Sequence, residues 1–173
     1  MYLYIYICKM FSLVNLPQTV FLHFCRYLRD GDYYGGFEQE ELEHLFEAMA
    51  SDYKGWAAGF ARAVAGDTAC PEAVERFRKI LAGMRPGTAI GMARSIFGSD
   101  FRASVSALVA NEDCPPLHFL QTSKDLAVPM AVTDYMRREL GEKGSVEVLP
   151  IEGHIPQVTS PDVFTKALLS HLG

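Results

Sequence analysis

The sequence predicts an α/β fold in which helices come first and strands come later. Apolar residues recur at helical spacing between positions 38 and 98, whereas residues 117–121 and 145–149 are short runs typical of buried strands. Of the 173 residues, 49% are apolar and 21% are charged, which is ordinary for one soluble domain with a sizeable core. The composition therefore excludes a disordered chain.

The first 25 residues differ from the rest and are predicted to be an atypical hydrophobic N-terminal extension, residues 1–25. Between Met1 and Phe24 the only charged residue is Lys9, and there is no glycine. The segment lacks the basic start and small-residue end of a signal peptide, and polar residues interrupt it too often for a membrane span. Three interpretations of this segment stay open: a plain extension, a mis-joined segment and a membrane anchor. Thr19–Phe24 is β-branched and aromatic, which favours a strand.

Four short amphipathic helices are predicted in the next part of the chain. The first is Glu38–Ala50, and its apolar face consists of Leu42, Leu45, Phe46 and Met49. Asp52 is a candidate cap for the second helix. Pro71 and Pro86 can each occupy the first position of a helix, and Gly98 can end the fourth. Four such helices in succession indicate a cap over a site or a small bundle.

The last third of the chain predicts a strand, a helix and a second strand. The strand-like runs are Leu117–Gln121 and Ser145–Leu149, and the helix between them has Pro129 near its start and Gly141 at its end. Ser160 begins a terminal helix. Parallel strands joined by helices form an open sheet, which places its chemistry just beyond the carboxyl ends of the strands.

Two polar residues follow the predicted strands and are candidate catalytic groups. Asp125 follows the first strand, and His154 follows the second. In a hydrolytic Ser-Asp-His triad of an α/β hydrolase, the acid precedes the histidine in the chain, as it does here. The alternative is that Asp125 caps its loop and that His154 is a solvated loop histidine.

No serine stands where such a triad needs its nucleophile. The sequence contains neither a G-x-S-x-G segment nor an H-G-G-G oxyanion loop. Ser99 ends a predicted helix and Ser123 shares a loop with Asp125, so neither is a substitute. The chain as written is therefore expected to lack covalent catalysis, and whether it is an enzyme stays open.

Charge and cysteine content exclude several other functions. The net charge of -5 offers no cationic surface for nucleic acid. Cys8, Cys25, Cys70 and Cys114 are widely spaced and form no C-x-x-C pair, which argues against structural zinc or disulfides and favours a reducing compartment. We expect no metal, no cofactor and no membrane partner.

Six blocks of the sequence carry a resemblance to a known family. In chain order they are R-Y-L-R-D-G-D-Y-Y-G-G-F-E-Q-E-E-L from Arg26, D-Y-K-G-W-A-A-G-F, G-M-R-P, I-F-G-S-D-F-R, K-D-L-A-V-P and E-G-H-I-P-Q-V-T-S-P. Together they resemble the plant karrikin and strigolactone receptor family of α/β hydrolases. The resemblance covers the lid and the C-terminal part of the core, and lacks the half that carries the oxyanion loop and the serine.

The resemblance implies a partial α/β-hydrolase fold, in which a four-helix lid is followed by the last strands and helices of the core sheet. The helical lid region would be 26–108 and the C-terminal core segment 109–173. The ligand would be a small apolar butenolide-like molecule. The partners would be an F-box ubiquitin-ligase subunit and a repressor protein, in the cytoplasm and nucleus.

The resemblance also assigns roles to individual residues. Asp125 would be the triad acid and His154 the triad base. The positions that match the family's ligand pocket are Tyr27, Phe37, Leu45, Trp56, Phe60, Phe77, Phe97, Leu126 and Ala127. The pair Leu126 and Ala127 resembles the karrikin-perceiving branch. Without its serine, the chain would be a truncated receptor hydrolase; the alternatives are a non-enzymatic partner-binding fragment and an incomplete gene model.

Three departures from the family pattern bear on the ligand. Arg62 stands where the family usually has an apolar residue, and Gly87 stands where an acidic residue is common. Val109–Pro116 is longer than the usual connection. These differences leave the ligand class open within the family.

Overall fold

The centre of the fold is a parallel sheet of three strands. The computed structural model describes residues 20–22 and 25–171. The strands are β1 (Val20–Leu22), β2 (Leu117–Lys124) and β3 (Gly144–Glu152), in the spatial order β1, β2, β3. Both pairings are parallel. The predicted α/β class is confirmed, and both predicted C-terminal strands extend further than the sequence runs indicated.

The predicted N-terminal strand is confirmed in part. Val20–Leu22 pairs with β2, with Val20 opposite Leu117. Apart from this strand and Cys25, the predicted hydrophobic extension lies outside the described residues.

Strand β2 lies between the other two and forms the middle of the core. Leu117 and Phe119 are fully buried, and burial continues through Gln121 and Thr122. A strand covered on both faces is expected to be almost entirely apolar. The two polar residues at its carboxyl end therefore need partners inside the protein.

The four predicted helices are confirmed. They are α1 (Gln39–Ser51), α2 (Tyr53–Ala65), α3 (Pro71–Ala82) and α4 (Pro86–Phe97). The Asp52 carboxylate accepts a hydrogen bond from the Gly55 N–H at 3.0 Å and so caps α2. Pro71 and Pro86 each occupy the first turn of a helix, where the missing N–H costs nothing.

A fifth helix, α5 (Arg102–Ala110), was not predicted. The side chain of its N-cap residue, Phe101, makes no capping hydrogen bond, and within the helix only Val105 is buried. Its two serines and two valines are not strong helix formers, so the local signal is weak. Contacts with the rest of the protein, which sequence periodicity does not report, hold it in place.

The described chain after β2 contains three more α-helices and a 3-10 turn at Gly141–Lys143. The α-helices are α6 (Met130–Leu140), the single turn α7 (Pro156–Thr159) and α8 (Pro161–Ser170). The predicted crossover helix is α6, which packs against β2 and β3. Its residues Val132 and Met136 are buried. The terminal helix begins after Ser160, as predicted. Among the described helices, none has the length and apolar character that a membrane crossing requires.

A charged cluster ties the segment after β1 to the start of α5. Asp100 accepts hydrogen bonds from Arg26 at 2.6 Å and from Arg102 at 2.7 Å, and Arg102 also binds Asp30 at 2.6 Å. The hydrogen bonds from Arg102 are the main cause that lowers the pKa of Asp100 to about 2. The backbone N–H of Phe101 donates to the Cys25 carbonyl at 2.7 Å beside them.

We expect Asp100→Asn to lower the free energy of unfolding at neutral pH by about 1 kcal/mol, because it removes these ion pairs. The pKa of Asp100 is depressed in the folded state, so its contribution is complete above the ordinary value of 3.8 and disappears as the pH falls through about 2. Chemical denaturation at several pH values measures the difference. Asp32→Asn, at an exposed carboxylate nearby, is the control. A difference that persists unchanged below pH 2 would contradict the assignment.

Candidate active site

The structure brings the two candidate catalytic side chains together. Asp125 directly follows β2, and His154 lies two residues beyond the end of β3. Because these strands are parallel neighbours, their carboxyl ends meet at one edge of the sheet. The Asp125 Oδ2 and His154 Nδ1 atoms are 2.9 Å apart. The Asp125 side chain is fully buried, whereas 17% of the His154 side chain is exposed.

The Asp125 carboxylate accepts four hydrogen bonds. Oδ1 accepts from the backbone N–H groups of Ala127 at 2.8 Å and Val128 at 3.1 Å. Oδ2 accepts from His154 and, at 3.3 Å, from the amide of Gln121. Four lone-pair positions of the carboxylate thus meet four donors, which fixes its rotation.

Hydrogen bonding keeps Asp125 ionised despite its burial. Burial alone would raise the pKa of this carboxyl, but the hydrogen bond and charge of His154, together with the two backbone N–H donors, outweigh it and hold the pKa below 3.8. An ionised carboxylate only accepts hydrogen bonds, so Nδ1 of His154 carries the shared hydrogen. In the neutral imidazole the lone pair then lies on Nε2, which is the atom that can take a proton.

The loop that carries His154 is held on both sides by backbone contacts. Gly153 has φ 91°, and its N–H donates to the Lys124 carbonyl at 2.8 Å. Its carbonyl accepts from the Thr122 hydroxyl at 2.8 Å. The His154 N–H donates to the carbonyl of Val64, in the last turn of α2, at 2.7 Å. The helical region and the sheet therefore both position the imidazole.

Tyr27 contacts the outer nitrogen of the imidazole. Its hydroxyl lies 3.1 Å from His154 Nε2, and the two rings meet edge to face at 5.8 Å. Since Nε2 carries the lone pair, the Tyr27 hydroxyl donates to it. The Tyr27 side chain is otherwise buried, so this polar tip is directed at the candidate base.

Five of the predicted pocket residues form a chain of aromatic contacts that starts at Tyr27. Phe97 lies 5.0 Å from Tyr27, 5.3 Å from Phe37 and 6.5 Å from Phe60, measured between ring centres. Trp56 stacks on Phe60 at 4.8 Å. These aromatic side chains connect the helices α2 and α4 to His154. An apolar wall therefore extends from the candidate base into the helical region.

The other predicted pocket residues lie in different surroundings. Ala127 is buried in the main core, and Leu45 is a partly buried residue that packs against this core. Phe77 belongs to a second cluster around Val64 and Ile155, which also includes Phe60. The Leu126 side chain is 64% exposed. The structure thus groups most of the predicted positions around the aromatic chain, and places Phe77 and Leu126 outside it.

A shallow open depression of about 510 Å³ lies away from the candidate base. Its lining residues are Asp100, Arg102, Ala103 and Tyr135. The two charged side chains in it pair with each other. Neither Asp125 nor His154 lines it, so we do not assign the catalytic chemistry to this depression. Within residues 20–22 and 25–171, no group of three His, Cys, Asp or Glu side chains could hold a metal ion.

Sequence reasoning missed three residues that support the site. Gln121 was assigned only to a strand, Thr122 lay just beyond the end of that predicted strand, and Gly153 was assigned only to a matching block. The available signal was a glutamine that ends the strand-like run L-H-F-L-Q four residues before Asp125, because a buried polar residue is more informative than a buried apolar one. A glycine directly before a candidate catalytic residue indicates a close approach of two backbones.

Solved structures similar to this chain are α/β hydrolases. A hydrolase from Oleispira antarctica matches 99% of this chain and 62% of its own, with a TM-score of 0.81 and 24% identity. A bromoperoxidase from Bacillus anthracis matches 96% of this chain and 62% of its own, with a TM-score of 0.74 and 18% identity. At these identities the likeness establishes the fold, which is a partial α/β-hydrolase fold.

Curated relatives are similar at higher identity. A probable esterase of Oryza sativa subsp. japonica is 46% identical over 147 residues, which are 85% of this chain and 52% of that protein. Karrikin insensitive 2 receptor CA of Petunia hybrida is 46% identical over 85% of this chain and 53% of its own length. A strigolactone esterase of Pisum sativum is 38% identical over 83% and 52%.

The chain spans about half the length of the curated relatives it matches. No family model matches the sequence. These relatives are nevertheless 38–46% identical over 83–85% of this chain. This chain belongs to the family of karrikin receptors and strigolactone esterases within the α/β hydrolases.

Proposed function

We propose that this chain carries the acid and the base of a serine hydrolase that binds and cleaves small butenolide-type esters. The observation that carries the proposal is the buried Asp125–His154 pair, with 2.9 Å between Oδ2 and Nδ1, at the ends of adjacent parallel strands. The names of the relatives, a karrikin receptor and a strigolactone esterase, supply the substrate class.

The pair supports a proton transfer at His154 Nε2. When a serine oxygen attacks the carbonyl carbon of the ester, Nε2 takes the serine proton, and the ionised Asp125 stabilises the imidazolium that forms. The imidazolium then gives this proton to the leaving oxygen as the ester bond breaks. A water molecule repeats the sequence on the acyl-serine and regenerates the free serine.

The aromatic chain supports an apolar ligand on the imidazole side of the helices. Tyr27 contacts His154, Phe97 contacts Tyr27, and Phe37 and Phe60 each contact Phe97. Aromatic rings with one polar group at the reacting end suit a small apolar ester better than a charged one. Helices α1–α4 would then act as the lid of the site.

The nucleophile is the part of the reaction that this sequence does not supply in a G-x-S-x-G segment. We therefore assign no covalent step to this chain by itself, since the loss of the nucleophile removes covalent catalysis whatever the acid and base do. The part of the relatives that this chain does not match would supply the serine.

A chimera tests the proposal. In it, the residues of this chain that match the rice esterase replace their 147-residue counterpart, so that the rice protein supplies the rest. We expect the chimera to hydrolyse a chromogenic butenolide probe and the full 173-residue chain alone not to. A folded, inactive chimera would overturn the proposed function. The unmodified rice protein is the positive control.

A second candidate is a non-enzymatic role in binding the F-box subunit and repressor named above, in the cytoplasm and nucleus. The observation that favours it is a set of exposed apolar side chains on α3 and α4. They are Ile80, Met92 and Ile96, with exposed fractions of 55%, 49% and 43%. Capture of a purified F-box subunit by the full chain without ligand would favour this role, and absence of binding by the folded chain would exclude it.

A further inference from the structure

A glutamine in the central strand reaches the acid loop from inside the core. Gln121, on β2, is 1% exposed. Its Nε2 donates to the Val128 carbonyl at 2.7 Å and to Asp125 Oδ2 at 3.3 Å. One side chain therefore contacts both the catalytic carboxylate and the end of the loop that carries it.

The two contacts fix which way the amide points. Both atoms that face Nε2 are oxygen acceptors, so a flipped amide would direct Oε1 at two other oxygens. With the amide in the observed orientation, Oε1 is buried and is one of two buried side-chain atoms without a hydrogen-bond partner among the described residues.

An unpartnered buried acceptor destabilises the folded chain. A leucine or methionine of similar volume would avoid that cost but would take from the Val128 carbonyl its Gln121 donor, a cost of the same kind. Stability alone therefore does not explain why position 121 is a glutamine. The hydrogen bonds of Gln121 to the acid loop do explain it. The donors to Asp125 come from the loop itself, from His154 and from Gln121, and only Gln121 among them anchors the carboxylate to the sheet.

We propose that Gln121 is a positioning residue that holds Asp125 Oδ2 in line with His154 Nδ1. The proposal rests on the proposed function, because it concerns the same acid and base. Without the Gln121 donor, one lone pair of Oδ2 loses its partner. The carboxylate can then rotate or admit water, and the His154 Nδ1–H bond weakens.

Proton NMR on the full 173-residue chain tests this role. The readout is the solvent exchange rate of the His154 Nδ1–H, measured beside the midpoint of chemical unfolding. We expect Gln121→Leu and Gln121→Met to raise the exchange rate on the order of tenfold, the effect of losing one hydrogen bond to a charged group, while the cooperative unfolding transition persists. Thr133→Val, which removes a hydroxyl that is equally buried in α6, is the control and should change neither.

Two other outcomes overturn the proposal. An unchanged exchange rate in a folded Gln121 variant would show that the amide does not position the acid. Loss of the cooperative unfolding transition in both variants would make Gln121 a folding determinant instead. The exchange measurement needs no turnover, so it is independent of the activity of the chimera. If the chimera is inactive but substitution of Gln121 speeds exchange of the His154 Nδ1–H, the proposed function is overturned and the positioning role stands.

Discussion

Asp125→Asn in the chimera is expected to reduce kcat for the butenolide probe about ten-thousandfold. The amide oxygen of the new side chain can still accept from the N–H groups of Ala127 and Val128, so the loop keeps its shape. Its NH₂ group would face His154 Nδ1 and would donate where the carboxylate accepted. The neutral imidazole would then carry its hydrogen on Nε2 and could not take the serine proton.

Two measurements separate this effect from unfolding. Nitrogen-15 NMR of the full chain should show the hydrogen of His154 moving from Nδ1 to Nε2, while the midpoint of thermal unfolding changes little. Asp134→Asn, on the exposed face of α6, is the matched control and should leave both kcat and the tautomer unchanged. Activity within tenfold of the parent chimera would contradict the role of Asp125.

The elements with strong local signals were predictable. Helix α1 has a complete apolar face, α2 has the Asp52 cap, and α3 and α4 begin at prolines, so local chemistry alone defines them. The order of Asp125 and His154 after two strands was also readable, because the carboxyl ends of parallel strands meet. These signals lie within a few residues of the feature that they predict.

Other features depend on contacts between distant residues and had weaker signals. Helix α5 is held by the contact of Asp100 with Arg26, and these two residues lie 74 positions apart. No local sequence pattern predicts the helix. The contact between Tyr27 and His154 joins residues 127 positions apart. The resemblance to a family assigned Tyr27 to the pocket, but only the fold shows that its hydroxyl meets Nε2.

Gly153→Ala is expected to lower the free energy of unfolding by about 3 kcal/mol or more and to displace His154. Gly153 has φ 91°, a conformation that alanine adopts only with strain. A Cβ there would also overlap the carbonyl of Ala65 and press against that of Val64, and neither backbone group can rotate away. The Val64 carbonyl is the acceptor for the His154 N–H, so the overlap acts directly on the base.

Two other glycines separate strain from overlap in the same measurement. Gly31 also has a positive φ, of 56°, but its Cβ would meet nothing within 4 Å, so Gly31→Ala should cost only about 1 kcal/mol. Gly59 is exposed within α2 with no neighbour within 4 Å, so alanine there should stabilise the chain by about 0.5–1 kcal/mol. If Gly153→Ala lowers the free energy of unfolding no more than Gly31→Ala does, the His154 loop does not approach α2 as closely as described. A larger cost at Gly153, with a faster exchange of the His154 Nδ1–H, would show that the helical region positions His154 through this backbone contact.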